Sequence, residues 1–182
     1  MNNRRLAYIG RDNYTRRLFV ATARSNTVKP NARSSRAHAT RDAMTPLDRL
    51  LAENEIERLI KRFALLNDEA DWTTVAAMFV EDGRFVRPAG GDPIVGRQAI
   101  HDSFASRPPR VSRHLITNII IDVASPDEAT SRCAMLLYTA PAGETTAVGP
   151  ALIGGFRDRL TRTANGWRFA ERIGFLDLKV QF

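Results

Sequence analysis

One cysteine in 182 residues, Cys133, rules out an internal disulfide. Its setting in the strand-like run SRCAMLLYT marks it as a small packed hydrophobe, in keeping with a reducing compartment. No stretch approaches the ~18 apolar residues of a membrane span. The longest apolar run near the N-terminus, LFVA at 18–21, falls short of the ~7–15 residue core of a secretory signal. A soluble, cytoplasmic protein without membrane contact is expected. Histidine is scarce too: His38, His101 and His114 are scattered, and with a single cysteine they make no metal site, so no metal is expected.

Acidic residues are rare in one place only. Residues 1–43 hold ten Lys or Arg against two acids, Asp12 and Asp42, for a net +8, whereas the remaining 17 basic and 18 acidic residues sum to −1. The formal charge of +7 therefore belongs to an N-terminal segment, and the body offers no general field to draw phosphates, so nucleic acid is not an expected partner. The segment itself has three readings. Its Arg-rich, acid-poor composition is that of an organelle import peptide. It also suits electrostatic nucleic-acid binding, or an extension upstream of a start at Met44. The division expected is 1–43 as a basic, disordered extension and 44–182 as one folded domain.

The body opens with TPLDRLLAENEIERLIKRFALLND at 45–68. Thr45 is a candidate N-cap, Pro46 takes the first helical position, and Asp48 follows three residues after the cap. Apolar residues at 47, 50, 51, 56, 59, 60, 63 and 66 predict one buried helical stripe. Asp71 is expected to cap a second helix over 72–79 that EDG at 81–83 ends, with the short strand RFVRP after it. PIVGRQAIHDSFAS at 93–106 predicts a third helix, with Ile100 and Phe104 at i, i+4 spacing, and RPPR at 107–110 breaks it. From there the period changes to 2, which predicts strands near 112–124, 129–140, 150–163 and 166–178, the last two joined at Asn165-Gly166. Helices first and antiparallel strands afterwards argue for an α+β fold.

The run RHLITNIIIDV at 113–123 is the most informative. Strict alternation sets Leu115, Thr117, Ile119, Ile121 and Val123 on one face and His114, Ile116, Asn118, Ile120 and Asp122 on the other. Both faces are apolar, so helices cover one and a second copy, in a homodimer, is expected on the other. His114 and Asn118 would point the same way about 13 Å apart. Burying each without a partner would cost roughly 1–3 kcal/mol. Asp68 raises the complementary question, because a carboxylate in the last turn of a helix opposes the macrodipole.

The ordered motifs NDEADW, MFVEDG, PIVGRQAI, SRHLITN and NGWRFAER resemble the SnoaL-like domains of the nuclear transport factor two-like superfamily across about 45–178. That resemblance implies a curved antiparallel sheet wrapped with three N-terminal helices into a cone, an α+β barrel with an internal pocket, commonly dimerising through the outer sheet face. Within the superfamily, scytalone dehydratase and the bile-acid dehydratases pair a pocket aspartate with a strand histidine. By similarity those roles fall to Asp68 and His114, with Asn118, Tyr138 and Asn67 as substrate-binding residues. The tyrosines and second histidine of scytalone dehydratase have no counterpart, since Asn67, Arg87 and Thr139 stand nearest. A carboxylate that accepts a hydrogen bond from one imidazole nitrogen fixes the tautomer, so that the other can remove a proton α to a carbonyl.

The resemblance implies a cofactor-independent dehydratase or isomerase acting on a small hydrophobic molecule, a polycyclic or aromatic carbonyl compound. The alternative within the same superfamily is a noncatalytic ligand carrier or an assembly module like the β subunit of ring-hydroxylating dioxygenases. Each residue also has a purely structural reading: His114 as a satisfied pocket histidine, Asp68 as an exposed group at a frayed helix end, Asn118 as a backbone brace. Arg87 and Arg113 read as surface or ion-pair residues. The string Arg157, Asp158, Arg159 and Arg162 reads as a solvated strand face.

Overall fold

The computed structural model describes residues 44–181. The N-terminal segment, with its import, nucleic-acid and extension readings, lies outside the described residues. Helix α1 spans Pro46–Asp68, and its start follows the local chemistry: the Thr45 hydroxyl accepts from the Asp48 N–H, and the Asp48 carboxylate accepts from the Thr45 N–H. Ala52, Ile56, Ile60, Phe63 and Leu66 form its buried stripe. Leu47, Leu50 and Leu51, expected in that stripe, are exposed, because the buried row of the helix runs through Ala52 and Ile56 instead.

Asp71 caps α2, Trp72–Ala77, accepting from the Thr74 N–H. Strand β1, Phe79–Val86, begins where a longer helix was predicted. Phe79 is fully buried and pairs with Phe169, and Glu81–Gly83 form an irregularity inside the strand rather than a turn before it. Gly83 is required there, since a Cβ would stand 2.9 Å from the Phe79 Cβ and 3.0 Å from the Val80 carbonyl oxygen. Strand β2, Ile94–Val95, leads into α3, Arg97–Ala105, whose Ile100 and Phe104 are buried as their spacing predicts. Strands β3 (Arg110–Val123), β4 (Glu128–Pro141), β5 (Ala151–Thr163) and β6 (Gly166–Val180) complete the domain.

The strands form one sheet in the order β2-β1-β6-β5-β4-β3. The α+β architecture with three helices is the expected one, with two corrections. The β1–β6 pairing is parallel, so the sheet is mixed, and β2 and β3 remain its two edges, so the barrel does not close. Register shifts between Thr117 and Ile120, Ile153 and Gly154, and Arg159 and Leu160 mark bulges that add twist and curvature. A Cβ on Gly154 or Gly155 would fall 2.0 Å from a backbone oxygen of the neighbouring strand, Phe175 and Cys133 respectively, so neither position admits a side chain.

Phe63 of α1 stands at the centre of the core. Its ring meets Phe79, Phe85, Phe104, Phe156 and Phe169 at centroid separations of 5.7–6.3 Å, within the range of favourable edge-to-face geometry. Helix α1 also runs antiparallel to β3. At its start Arg49 donates to the Val123 carbonyl at 2.6 Å, and at its end Asp68 meets the beginning of β3.

Candidate functional site

That antiparallel seating brings the last turn of α1 against Ser112 and His114. Asp68 Oδ1 accepts from the Ser112 hydroxyl at 3.0 Å and contacts His114 Nδ1 at 2.5 Å, while Oδ2 accepts from the His114 backbone N–H at 2.9 Å. The side chains of His114 and Asp68 are 12% and 9% exposed. Burial is the largest single influence on the Asp68 carboxyl and pushes it up. The His114 ring and backbone hydrogen bonds, the His114 charge and the Ser112 hydroxyl nevertheless hold it below the ordinary carboxylate range. An ionised Asp68 is an acceptor only, so Nδ1 must be the donor and Nε2 of a neutral ring carries the lone pair. Three donors from β3 also answer why an anion is tolerated at the C-terminal end of a helix.

His114 lines a cavity of about 340 Å³. Its apolar wall comes from Phe63, Phe85, Phe104, Met135, Leu137 and Phe156, and Arg87, Arg107 and Arg110 also line it. Asn67 reaches the same cavity, and its side-chain amide donates to the Phe63 carbonyl at 2.9 Å. A second cavity of about 360 Å³ shares Asn67, Arg107, Pro108, Arg110 and His114, and continues along Trp72 and Ser112. A wider groove of about 840 Å³ between α1 and the β5–β6 turn contains none of the predicted site residues.

Two predicted substrate-binding residues lie elsewhere. Asn118 adopts φ +50° at the bulge in β3 and is exposed. Asparagine tolerates this left-handed conformation. The bulge shifts the strand's parity by one residue. His114 and Ile116 therefore share the inner face with Ile119, Ile121 and Val123, while Leu115 and Ile120 are exposed. Tyr138 is 38% exposed and registers with Arg113, next to inward-facing Leu137, so it stands on the outer face of β4.

A second buried polar group escaped sequence reading. Arg172 is fully buried, donates to Asp158 at 2.9 Å, and lies over the rings of Phe156, Phe63 and Phe169 at 4.0–4.5 Å. Asp158 also accepts from Ser131 at 2.8 Å. Burial pushes the Asp158 carboxyl up, against the opposing pull of Arg172 and Ser131. Asp158 is thus no part of a solvated face, and alternation had offered a signal in its apolar neighbours at i±2, Phe156 and Leu160. Arg172 offered none, since an extra residue at Ala170 in the β5–β6 pairing turns it inward beside Phe169. Arg87, read as a surface group, lines the cavity.

Among the described residues no helix is long and apolar enough to cross a membrane, and no group of three His, Cys, Asp or Glu is arranged to hold a metal.

A mixed, curved sheet with three helices and an inward-facing cavity defines an α+β cone of the nuclear transport factor two-like superfamily. Residues 48–173 match the SnoaL-like domain, and the chain belongs to that family. Among solved structures it is similar to Rv3472 of Mycobacterium tuberculosis, a protein of unknown function, with 32% identity over 74% of this chain and 78% of that one and a TM-score of 0.61. It is also similar to a Catenulispora acidiphila protein in complex with S-DNPA, 29% identical over 70% of this chain and 95% of that one, TM-score 0.58. A candidate scytalone dehydratase from Novosphingobium aromaticivorans shares the fold at TM-score 0.67, with 23% identity over 76% of this chain and 92% of that one. No curated protein matches the chain.

Proposed function

We infer that this domain is a cofactor-independent lyase of the dehydratase type, or an isomerase, acting on a hydrophobic polycyclic or aromatic carbonyl compound. The observation that carries the reading is the hydrogen-bonded Asp68–His114 pair at an apolar cavity of about 340 Å³. Asp68 orients the ring, and His114 Nε2 takes the proton α to the substrate carbonyl as electrons move into the enolate. The same nitrogen then returns the proton, to a γ-carbon in isomerisation or to a departing hydroxyl in dehydration. Asn67 is the remaining polar group of the predicted substrate set at this cavity. The similarity to a relative solved in complex with S-DNPA supports a ligand pocket here.

The test is α-proton exchange in deuterated water across a panel of phenolic, polyketide and steroid carbonyl compounds, read by mass spectrometry. Exchange accelerated by the full chain, and reduced about 10²- to 10⁴-fold in His114→Ala, is the expected result. Tight binding of panel compounds with no exchange above that of His114→Ala would favour a carrier instead.

A second copy is proposed to cover the outer sheet face. The register aligns Leu115, Leu136, Ile153 and Leu178 in one row across four strands, and Leu115 and Leu178 are exposed. Light scattering is expected to give a dimer mass for the native chain and a monomer for Leu115→Glu.

A further inference from the structure

We propose that the ligand of this cavity carries, beside its apolar body, an anionic group, a carboxylate or a phosphate, held by Arg87, Arg107 and Arg110. The inference rests on the reading of the cavity as a small-molecule site, and it names the chemical class of that molecule.

The cavity lining contains three arginines and one histidine but no carboxylate. Among the described residues none of the three forms a salt bridge, although the body as a whole is nearly neutral, with 17 basic and 18 acidic residues beyond position 43. Four other arginines of the domain are paired with acids, Arg84 with Glu171, Arg97 with Glu81, Arg162 with Glu55 and Arg172 with Asp158, so what sets the three apart is that they share one cavity. The cluster is a local excess of charge, assembled from the end of β1, the α3–β3 connection and the first residue of β3.

Each member is also held in place. Arg87 donates through Nη2 to the Ser103 carbonyl at 2.7 Å, and its buried Nε has no partner. The Arg107 guanidinium stacks 4.0 Å from the centre of the Phe104 ring, which itself lines the cavity. Pro108 and Pro109 stiffen the two-residue link from Arg107 to Arg110. Burial, followed by the charges of Arg87 and Arg110, brings the Arg107 pKa down to about 10, the direction expected of crowded cations without a counter-charge. Planar guanidinium groups arranged this way suit bidentate recognition of carboxylate or phosphate oxygens. His114 and the phenylalanine wall line the same space, so an anion held at the arginines would bring its apolar body into the cavity that the imidazole also lines.

Calorimetric titration of the full chain with naphthalene-2-acetate, 2-naphthyl phosphate and the neutral methyl ester of naphthalene-2-acetate tests this. The expected result is that at least one anion binds about tenfold or more tightly than the ester in low salt, with the preference shrinking as salt rises. The ratio should fall toward one in Arg110→Gln, an exposed position that can be replaced without disturbing the core, and also in Arg107→Gln. A stronger preference for the acetate points to a carboxylate ligand, and one for the phosphate to a phosphorylated one. Ester binding as tight as that of both anions, or a preference that survives both substitutions, overturns the anion site and leaves the apolar pocket standing. If none of the three probes binds, this inference and the small-molecule reading both fall.

Discussion

Two buried acid–base pairs sit in this domain, and they are built to opposite ends. Asp68 and His114 lie at the edge of a cavity, slightly exposed, with every Asp68 contact donated by one strand. Asp158 and Arg172 lie at 0% exposure between β5 and β6, capped by three phenylalanine rings, with Arg172 Nε and Nη2 lacking hydrogen-bond partners among the described residues. The first pair leaves one nitrogen available to a ligand. The second is enclosed, and its strength is spent on holding two strands and the aromatic core in one arrangement. Polar residues in an apolar interior therefore do not by themselves mark a site; access to the cavity separates the two cases.

The contrast can be broken most forcefully at the enclosed pair. Arg172→Met leaves Asp158 buried beside Ser131 without its counter-charge, and should cost about 3–5 kcal/mol in chemical denaturation. Adding Asp158→Leu should recover much of that loss, which would mark the pair as structural rather than functional. At the open pair, Asp68→Asn is expected to cost about 1–3 kcal/mol, because it disturbs three hydrogen bonds at once. The folded-state pKa of Asp68 is lowered, so its contribution is complete above the unfolded carboxylate pKa and is lost as pH falls through the folded value. Denaturation curves for the native chain and Asp68→Asn should converge toward acid and separate toward neutrality; curves that stay parallel at all pH values would contradict the ionised carboxylate.

Smaller effects sharpen the comparison. Thr45→Ala removes one half of the capping box and should cost about 1 kcal/mol, without altering ligand binding. Asn118→Gly should change stability by only a few tenths of a kcal/mol, since glycine accepts the same left-handed backbone. Ligand affinity should be indifferent to it, and a marked loss of binding would return Asn118 to the pocket.

Much of this fold could be read from the linear chain, and the reasons are local. The Thr45–Asp48 capping box, the Asp71 cap, the Ile100–Phe104 pair and the Asn165-Gly166 turn all act within four residues. Their chemistry is visible in any window of that length. Asp68 was also singled out by a local conflict, an anion at the wrong end of a helix, and the strand carrying His114 by its polar residues among isoleucines.

Facing was another matter. Asn118 was expected on the face of His114 and Arg172 drew no reading at all, and in both cases one additional residue in a strand pairing reverses the alternation that follows it. Whether a bulge forms depends on how the neighbouring strand pairs and how the sheet curves around α1, and neither is encoded within the strand's own few residues. The parallel docking of β1 on β6 and the gathering of Arg87, Arg107 and Arg110 on one cavity are of the same kind. Short-range propensity and capping set most of the helices and strands, while the pairing of Asp68 with His114 was implied by the family resemblance. Which side chains share an interior was settled by long-range pairing, because a period-2 pattern carries no information about where it is interrupted.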